Sequence, residues 1–572
     1  MMVKRRLILI IGISLITLGF GLLWPFEWLS WSFHHLGFYF ILISVFLWLI
    51  VLFKSCYRNI LPFLKKQYPG FVASIIFISL IFTMSPPYFK ILADESNLIG
   101  TSMSMHNNKT VWIPHQGLNL NYERFKPATV ANKRPILYPF AVAIFHSLIG
   151  YSANNGFVVN FICGLLILFF FYVFIARFYA RDLAILSLFI FAAIPIFSFW
   201  ITSSGFEGLN LLFIILFFIA YHRFLVTKDA PAAELLFLTF VLLVQCRYES
   251  IIFGIMLLIL LPRLLRKDMI KQYSPVTFFT PLLIVPILWQ RRLFLDLIEP
   301  VRMNSDLLKT SGQGFHWQSL WINFSKNIFT LSGLDPNYGF IVIVSVLSIA
   351  GAYMLIKEGL TRSGNMASET RYVVFAGTLM FILLFLIYSA YQWGNFNLPI
   401  SNRLAVVFLP FFVFASIHCI YKIFGPVQLQ AKIFLFVFFS LNLVCFWPYA
   451  AHQKIIHVLQ PSCEYNQVIT YFDDRYQTQA EKILLISDRP GQYLIHGYSS
   501  IDFEYANDHT AELAGGFNNY FDRIFVLQRC SSATGTPGVN NQLNSAYKLN
   551  HTNKVKCSSQ SFISILEVLE ID

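Results

Sequence analysis

The chain has 572 residues, of which 56% are hydrophobic, 17% aromatic and only 12% charged, and its mean hydropathy is +0.61. A soluble globular protein carries about 25% charged residues, so this composition excludes that class and places the chain among polytopic helical membrane proteins. The formal charge of +13 is explained by membrane topology and does not imply a nucleic-acid partner.

In chain order, apolar runs able to cross a bilayer, each about 20 residues with slack for tilt and thinning, fall near 7–24, 37–53, 70–84, 157–176, 183–200, 208–225, 233–246, 250–265, 275–290, 338–356, 372–391, 403–422 and 430–449. They predict about thirteen transmembrane helices. Lys4, Arg5 and Arg6 precede the first run and start the chain inside, so every second connection is expected to be cytoplasmic and basic. The inside connections then hold Lys54, Arg58, Lys65 and Lys66, next Arg177 and Arg181, then Arg223 and Lys228, then Arg263, Arg266, Lys267 and Lys271, then Lys357, Arg362 and Arg371, and last Lys422 and Lys432. The short outer connections Pro25–Leu36 and Ile201–Phe206 carry none. Trp24, Trp28 and Trp31 read as an interfacial aromatic belt, and no small-residue cleavage site follows Leu23, so the first run is expected to remain as a helix. Pro135–Ile149 is counted as an amphipathic or re-entrant helix at the outer interface, because a crossing there would turn Arg177 and Arg181 outward.

This frame leaves three long segments outside: Ala93–Gly156, Arg291–Asn337 and everything from Ala450. The tail has nine Lys and Arg against thirteen Asp and Glu, an acidic balance that marks a domain boundary. Within it, Lys482–Ser487, Arg523–Gln528 and Phe562–Leu569 have the aliphatic, turn-bounded pattern of strands, Glu464–Tyr471 reads as a helix, and Ser531–Asn544 reads as a loop. The tail is therefore expected to be a small α/β extracytoplasmic domain. Its Cys463, Cys530 and Cys557 allow one disulfide in an oxidising compartment, with the pairing open. Cys163, Cys246, Cys419 and Cys445 sit in or at the ends of apolar runs and read as small hydrophobes.

Ionisable groups within a bilayer are costly and usually functional. Here Asp182, Glu207, Glu234 and Glu249 fall at run ends and no carboxylate lies mid-helix, which disfavours coupled transport. Polar groups gather at the outer ends: Asp94 and Glu95, Lys133 and Arg134, Arg247 with Glu249, Arg291 and Arg292, and Arg403. Such a distribution suits a reaction at the membrane–water boundary between a lipid-linked and a polar substrate. Sugar transfer from an isoprenoid phosphate needs a carboxylate to take a proton from the attacking hydroxyl. It also needs fixed cations where the leaving phosphate gains charge, a task suited to Arg. The loop histidines His106 and His115 are expected to be solvated, Glu207 to be a satisfied helix-start carboxylate, and Arg291 and Arg292 to anchor at headgroups.

Four stretches in this order, ADES (Ala93–Ser96), KRPILYPF (Lys133–Phe140), ARFYARD with AAIP (Ala176–Asp182, Ala192–Pro195) and SNRLAVVFLP (Ser401–Pro410), resemble the GT-C class of integral-membrane glycosyltransferases. The similarity is greatest to the protein mannosyltransferase and aminoarabinose-transferase branch, and covers roughly 70–450. The resemblance implies a GT-C-like transmembrane domain (70–449) with outer loops 85–156 and 291–337, and leaves outside it the N-terminal hairpin with its cytoplasmic loop (1–69) and the tail (450–572). It implies inverting transfer of a sugar from a polyprenyl phosphate to a glycan, lipid or protein acceptor at the outer face of a plasma or bacterial inner membrane. It places the base on Asp94, with Glu95 assisting, and donor-phosphate contacts on Lys133, Arg134, Tyr138, Arg247 and Arg403, with no metal or other cofactor expected. The chain departs from that branch at the turn around Arg247, which reads CRYES. Alternative readings are an O-antigen ligase or polymerase, which would use His316 and Arg302, and a flippase for polyprenyl-linked glycans.

Overall fold

A computed structural model describes residues 2–56, 60–117, 128–303, 317–331, 342–361, 368–398, 401–425, 436, 437, 440, 460–517, 520–532, 534–537, 541–557 and 561–571. The chain is mostly helical and divides into two compact units, one of residues 1–87, 135–138 and 157–454, the other of 88–134, 139–156 and 455–572.

In the first unit, among the described residues, eight helices are long and apolar enough to cross a membrane: Val3–Leu23, Phe26–Ser55, Pro62–Met84, Asn155–Ile175, Glu207–Thr227, Ile343–Thr361, Glu369–Ala390 and Asn402–Phe424. The chain is thus a helical polytopic membrane protein. The count becomes nine if Arg181–Ala193 and Pro195–Ile201, bent by 72°, are one span. That bend sits at Ile194, which the following proline forces into an extended conformation.

Of the other expected runs, three are shorter or interrupted helices and one lies largely outside the described residues. The run at 233–246 forms the shorter helix Ala230–Cys246. The run at 250–265 begins as a 3₁₀ segment, Tyr248–Phe253, before the helix Gly254–Leu264. At 275–290, Pro275, Pro281 and Pro286 divide the backbone into Pro275–Phe279, a 3₁₀ turn Thr280–Ile284, and the start of Val285–Met303, since each proline removes a ladder donor. The run at 430–449 lies almost wholly outside the described residues. Pro25–Leu36, expected as a connection, is helical from Phe26.

Two crossing helices form the interior of this unit. Asn402–Phe424 and Glu207–Thr227 have 83% and 72% of their apolar windows buried, against 17% for Val3–Leu23. A polar group on either of the inner helices is therefore held by protein rather than lipid.

The second unit unites the early polar segment with the tail. The tail builds a five-stranded mixed sheet from β3 (Ile483–Ser487), β4 (Ser499–Ile501), β5 (Arg523–Ser531), β6 (Tyr547–Val555) and β7 (Ser561–Ile571), in the order β4-β3-β5-β7-β6. β3 runs parallel to both its neighbours, and β7 antiparallel to β5 and β6. Side-chain alternation gives each face its own core. Leu484, Ile486 and Val526 pack with Phe503 on one face, while Phe525 on the other meets Phe472 of the helix Gln460–Tyr476, ring centroids 5.2 Å apart.

The early segment contributes a helix, Leu92–Asn108, and a hairpin of β1 (Trp112–Gln116) and β2 (Ala128–Ala131). Gly117, just past β1, exchanges backbone hydrogen bonds of 2.9 and 3.0 Å with Ser500, so the hairpin covers the outer edge of β4. Gly491 sits where an added Cβ would press on the carbonyls of Pro114 and His115, at 3.0 and 3.1 Å, which is why the chain needs glycine there. Cys463 and Cys557 are disulfide-bonded, with Cα atoms 6.0 Å apart, and Cys530 is buried as a free thiol. This resolves the pairing left open above.

Candidate active site

The predicted residues fall into two groups, one in each unit. In the second unit Asp94 and Glu95 occupy the first turn of the Leu92–Asn108 helix, where carboxylates are favoured by the exposed N–H groups. The segment read as an outer loop is thus helical here, although its apolar content is low. Its hydroxyls make burial affordable by bonding within the helix: Ser96 donates to Leu92 O at 2.6 Å and Thr101 to Asn97 O at 2.9 Å.

The two carboxylates do different things. Glu95 Oε1 accepts the backbone N–H groups of Lys90 and Ile91, both at 2.8 Å, and so caps the helix that carries it. Asp94 meets Arg134, whose Nη2 lies 2.6 Å from Oδ1 and 2.5 Å from Oδ2. Both side chains are largely buried, 11% and 19% exposed respectively, so the pair has little solvent screening. A second contact in the same direction fixes the register: Asn132 donates through Nδ2 to Thr101 Oγ1 at 2.8 Å, and through Oδ1 accepts the Arg134 N–H at 2.8 Å. Asp94 and Thr101, seven apart, share a helix face; Asn132 and Arg134 lie just past β2, where the Asn132 side chain bonds the backbone two residues on and fixes a turn. Lys133, between them, is half-buried.

Lys90 is fully buried, its ammonium 3.2 Å from the centre of the Tyr88 ring. Burial pushes its ammonium well below the usual lysine range, with Glu95 opposing that shift.

Behind the helix runs a chain that sequence reading missed. His146 Nδ1 accepts from Asn155 Nδ2 at 2.9 Å and His146 Nε2 lies 3.0 Å from Ser102 Oγ. The spacing is that of a Ser-His-Asn triad. Its proton order is wrong for nucleophilic catalysis, however. An amide N–H on Nδ1 puts the neutral ring's proton on Nε2, so His146 donates to Ser102, which donates in turn to Ile99 O at 2.7 Å. Burial lowers His146 to about 4, consistent with a structural, neutral ring. His106, expected in a solvated loop, is on the same helix with Nδ1 3.0 Å from Ser147 Oγ.

In the first unit the predicted cations Arg247 and Arg403 sit at helix ends. Arg247 closes the Ala230–Cys246 helix in an extended conformation and is buried. Its Nε is 3.3 Å from Glu249 Oε2, its guanidinium lies 5.6 Å from the Phe206 ring centre and 5.9 Å from that of Tyr388, and its buried Nη1 makes no hydrogen bond. Arg403 Nη1 is 3.6 Å from Glu207 Oε1, with side-chain exposures of 12% and 2%. Glu207 is thus more than a helix-start carboxylate: it is the buried counter-charge of Arg403. The sequence signal was the small polar turn that precedes it. Thr202, Ser203 and Ser204 are wholly buried, and a Cβ on Gly205 would collide with the Glu207 carboxylate. Asn160 donates to the carbonyls of Ser203 and Gly205 at 2.6 and 2.9 Å and holds that turn in place. Trp200 donates to Asn402 at 2.9 Å and fixes the residue beside Arg403.

Tyr138 is fully buried and belongs with the first unit. Arg292 donates to the carbonyls of Leu22 and Trp24 at 3.0 and 2.6 Å, tying the Val285–Met303 helix to the first crossing rather than reaching out to headgroups. His316 and the side chain of Arg302 lie outside the described residues. Among the described residues no group of three or more His, Cys, Asp or Glu is placed to hold a metal ion. No protein-family model matches the chain, and no curated protein matches it by sequence.

Proposed function

We propose that the chain is an inverting glycosyltransferase of the GT-C type, which moves a sugar from a polyprenyl-phosphate donor to a hydroxyl acceptor at the outer face of the membrane. The observation that supports this most is Arg247: a guanidinium buried at the end of an apolar helix, with one terminal nitrogen making no hydrogen bond among the described residues. A desolvated donor of this kind is costly unless an anion completes it, and a phosphate oxygen is the acceptor an Arg fork fits best. In this reading Arg403, held by Glu207, is a further donor-phosphate contact, and Lys133, Arg134 and Tyr138 are assigned to the donor by the resemblance alone.

Asp94 takes the proton of the acceptor hydroxyl as its oxygen bonds to the sugar's anomeric carbon. The bond from that carbon to the phosphate oxygen breaks on the opposite face, and the polyprenyl phosphate leaves with the electron pair. The new negative charge on phosphate is what preset cations stabilise more in the transition state than in the ground state. Glu95 acts on structure, by capping the helix that presents Asp94.

The test is a mass-spectrometric comparison of surface glycans in cells with and without the chain, together with membranes carrying Asp94→Asn or Arg247→Gln. Loss of one glycan modification in the absence of the chain and in both variants, at normal protein level, supports transfer. Unchanged glycans in Asp94→Asn would remove the assignment.

A further inference from the structure

At the other end of the Glu207–Thr227 helix is a second charged site that the transfer reading does not use. The helix has 21 residues, so its two ends are about 30 Å apart at 1.5 Å per residue. Where it stops, at Lys228 in a left-handed cap, a cavity of about 590 Å³ opens, lined by Lys228, Arg263, Arg266 and Arg371 with Asp268 and Glu369. Four cations face two carboxylates. Lys228 is 3.6 Å from Glu369 and Arg266 is 3.1 Å from Asp268, and both cations are more than half exposed. Arg263 differs. It lies over the Tyr372 ring at 4.7 Å and makes no ion pair among the described residues. Stacking engages the flat face of the guanidinium and leaves its rim of N–H donors for a planar or tetrahedral oxyanion. Phe224, Met269 and Phe375 supply apolar wall beside these charges.

We propose that this cavity binds a phosphate group, with Arg263 as its principal ligand and Lys228 and Arg371 supporting it. The two sources of that chemistry are an anionic phospholipid headgroup, which basic pockets between membrane helices are suited to take, and a free phosphate. An excess of cations at the end of the bundle, with apolar wall adjoining, fits either.

The experiment uses the full chain, in nanodiscs of phosphatidylcholine with and without phosphatidylglycerol, and in detergent with sodium phosphate against sodium chloride at equal ionic strength. Retained lipid is counted by native mass spectrometry, and thermal unfolding is followed in both media. Wild type is expected to retain phosphatidylglycerol or to be stabilised by phosphate, and Arg263→Gln to weaken that binding about tenfold or more, as loss of a charge-assisted contact does. Retention without a phosphate effect identifies the headgroup; a phosphate effect identifies the free anion. Arg263→Lys keeps the charge without the fork and is expected to be intermediate, which covers the case in which Arg263→Gln fails to fold. Wild type and Arg263 variants that behave alike in both arms, or an equal loss in the control Arg181→Gln, whose residue does not line the cavity, would overturn the proposal.

Discussion

Arg134 engages Asp94 through a single nitrogen, Nη2, which spans both carboxylate oxygens at 2.6 and 2.5 Å. The partner thus behaves as a point charge, unlike the two-pronged grip usual for arginine.

From this follows an ordering of variants. Asp94→Asn is expected to lower transfer by about 10²–10⁴-fold, the usual contribution of a general base, whereas Arg134→Lys, which can still place one ammonium between the oxygens, keeps much more activity than Arg134→Gln. Glu95→Gln preserves the acceptor oxygen used by the Lys90 and Ile91 N–H groups and is expected to stay within a few-fold of wild type. A turnover assay on membranes at matched protein level separates these cases. If Glu95→Gln falls as far as Asp94→Asn, Glu95 takes part in the chemistry itself.

Glu207 and Arg403 pair in the interior of the bundle. Removing one member of a buried pair leaves the other uncompensated, at a cost of about 3–5 kcal/mol. Glu207→Ala is therefore expected to lower the unfolding temperature in detergent more than the double variant Glu207→Ala/Arg403→Met does, while neither recovers transfer. A double variant no more stable than Glu207→Ala would show that the pair is not coupled.

Acid is expected to loosen the unit that holds Asp94. His146 titrates at about 4 in the fold against 6.5 unfolded, so between those values the unfolded chain binds more protons. The stabilisation is complete above about pH 6.5 and is lost as pH falls toward 4, roughly 2 kcal/mol of it by pH 5. His496, shifted the same way by burial, adds to the slope. His146→Gln keeps a donor toward Ser102 and an acceptor toward Asn155, and its unfolding midpoint should depend less on pH between 7 and 5 than that of wild type. An unchanged slope would mean that His146 is not the titrating group.

The Cys463–Cys557 bond closes a separation of 94 residues, and loss of a native disulfide typically costs about 2–5 kcal/mol in small disulfide-bonded domains. Cys463→Ser and Cys557→Ser are expected to increase proteolysis of the second unit to the same extent as a reductant does on wild type, and the reductant should add nothing to either variant. Cys530→Ser should leave the reductant effect intact; its disappearance in that variant would point to a different pairing.

Much of the fold was legible because burial writes itself as pattern. The strands Lys482–Ser487, Arg523–Gln528 and Phe562–Leu569 were expected nearly where β3, β5 and β7 stand, since each has at least four consecutive buried residues and reads as an aliphatic run. β6 was missed because as an edge strand it exposes most of its side chains. The Leu92–Asn108 helix was missed for the opposite reason: beside Leu92, Leu98, Ile99 and Met105 it buries Ser96, Thr101, Ser102 and Ser104, whose satisfaction by their own helix has no hydropathy signature. Where proline and 3₁₀ turns interrupt apolar runs, the structure has short helices in place of the single long ones expected. In the candidate site, Asp94 and Arg134 are forty residues apart and each could be named as a charge at a run end, but only the Thr101–Asn132 contact brings them into register. Glu207 was undervalued because a carboxylate at a helix start has an ordinary explanation, and its partner comes almost two hundred residues later.

The exchange of hydrogen bonds between Gly117 and Ser500 has a bearing on how the protein is made. At about 5–20 residues per second, the ribosome delivers Ser500 some tens of seconds after Gly117 has emerged. During that interval the hairpin beside Asp94 has no sheet edge to lean on. A chain interrupted before β4 would leave that early segment without the edge it pairs with, so the hairpin is completed only when the tail has been made.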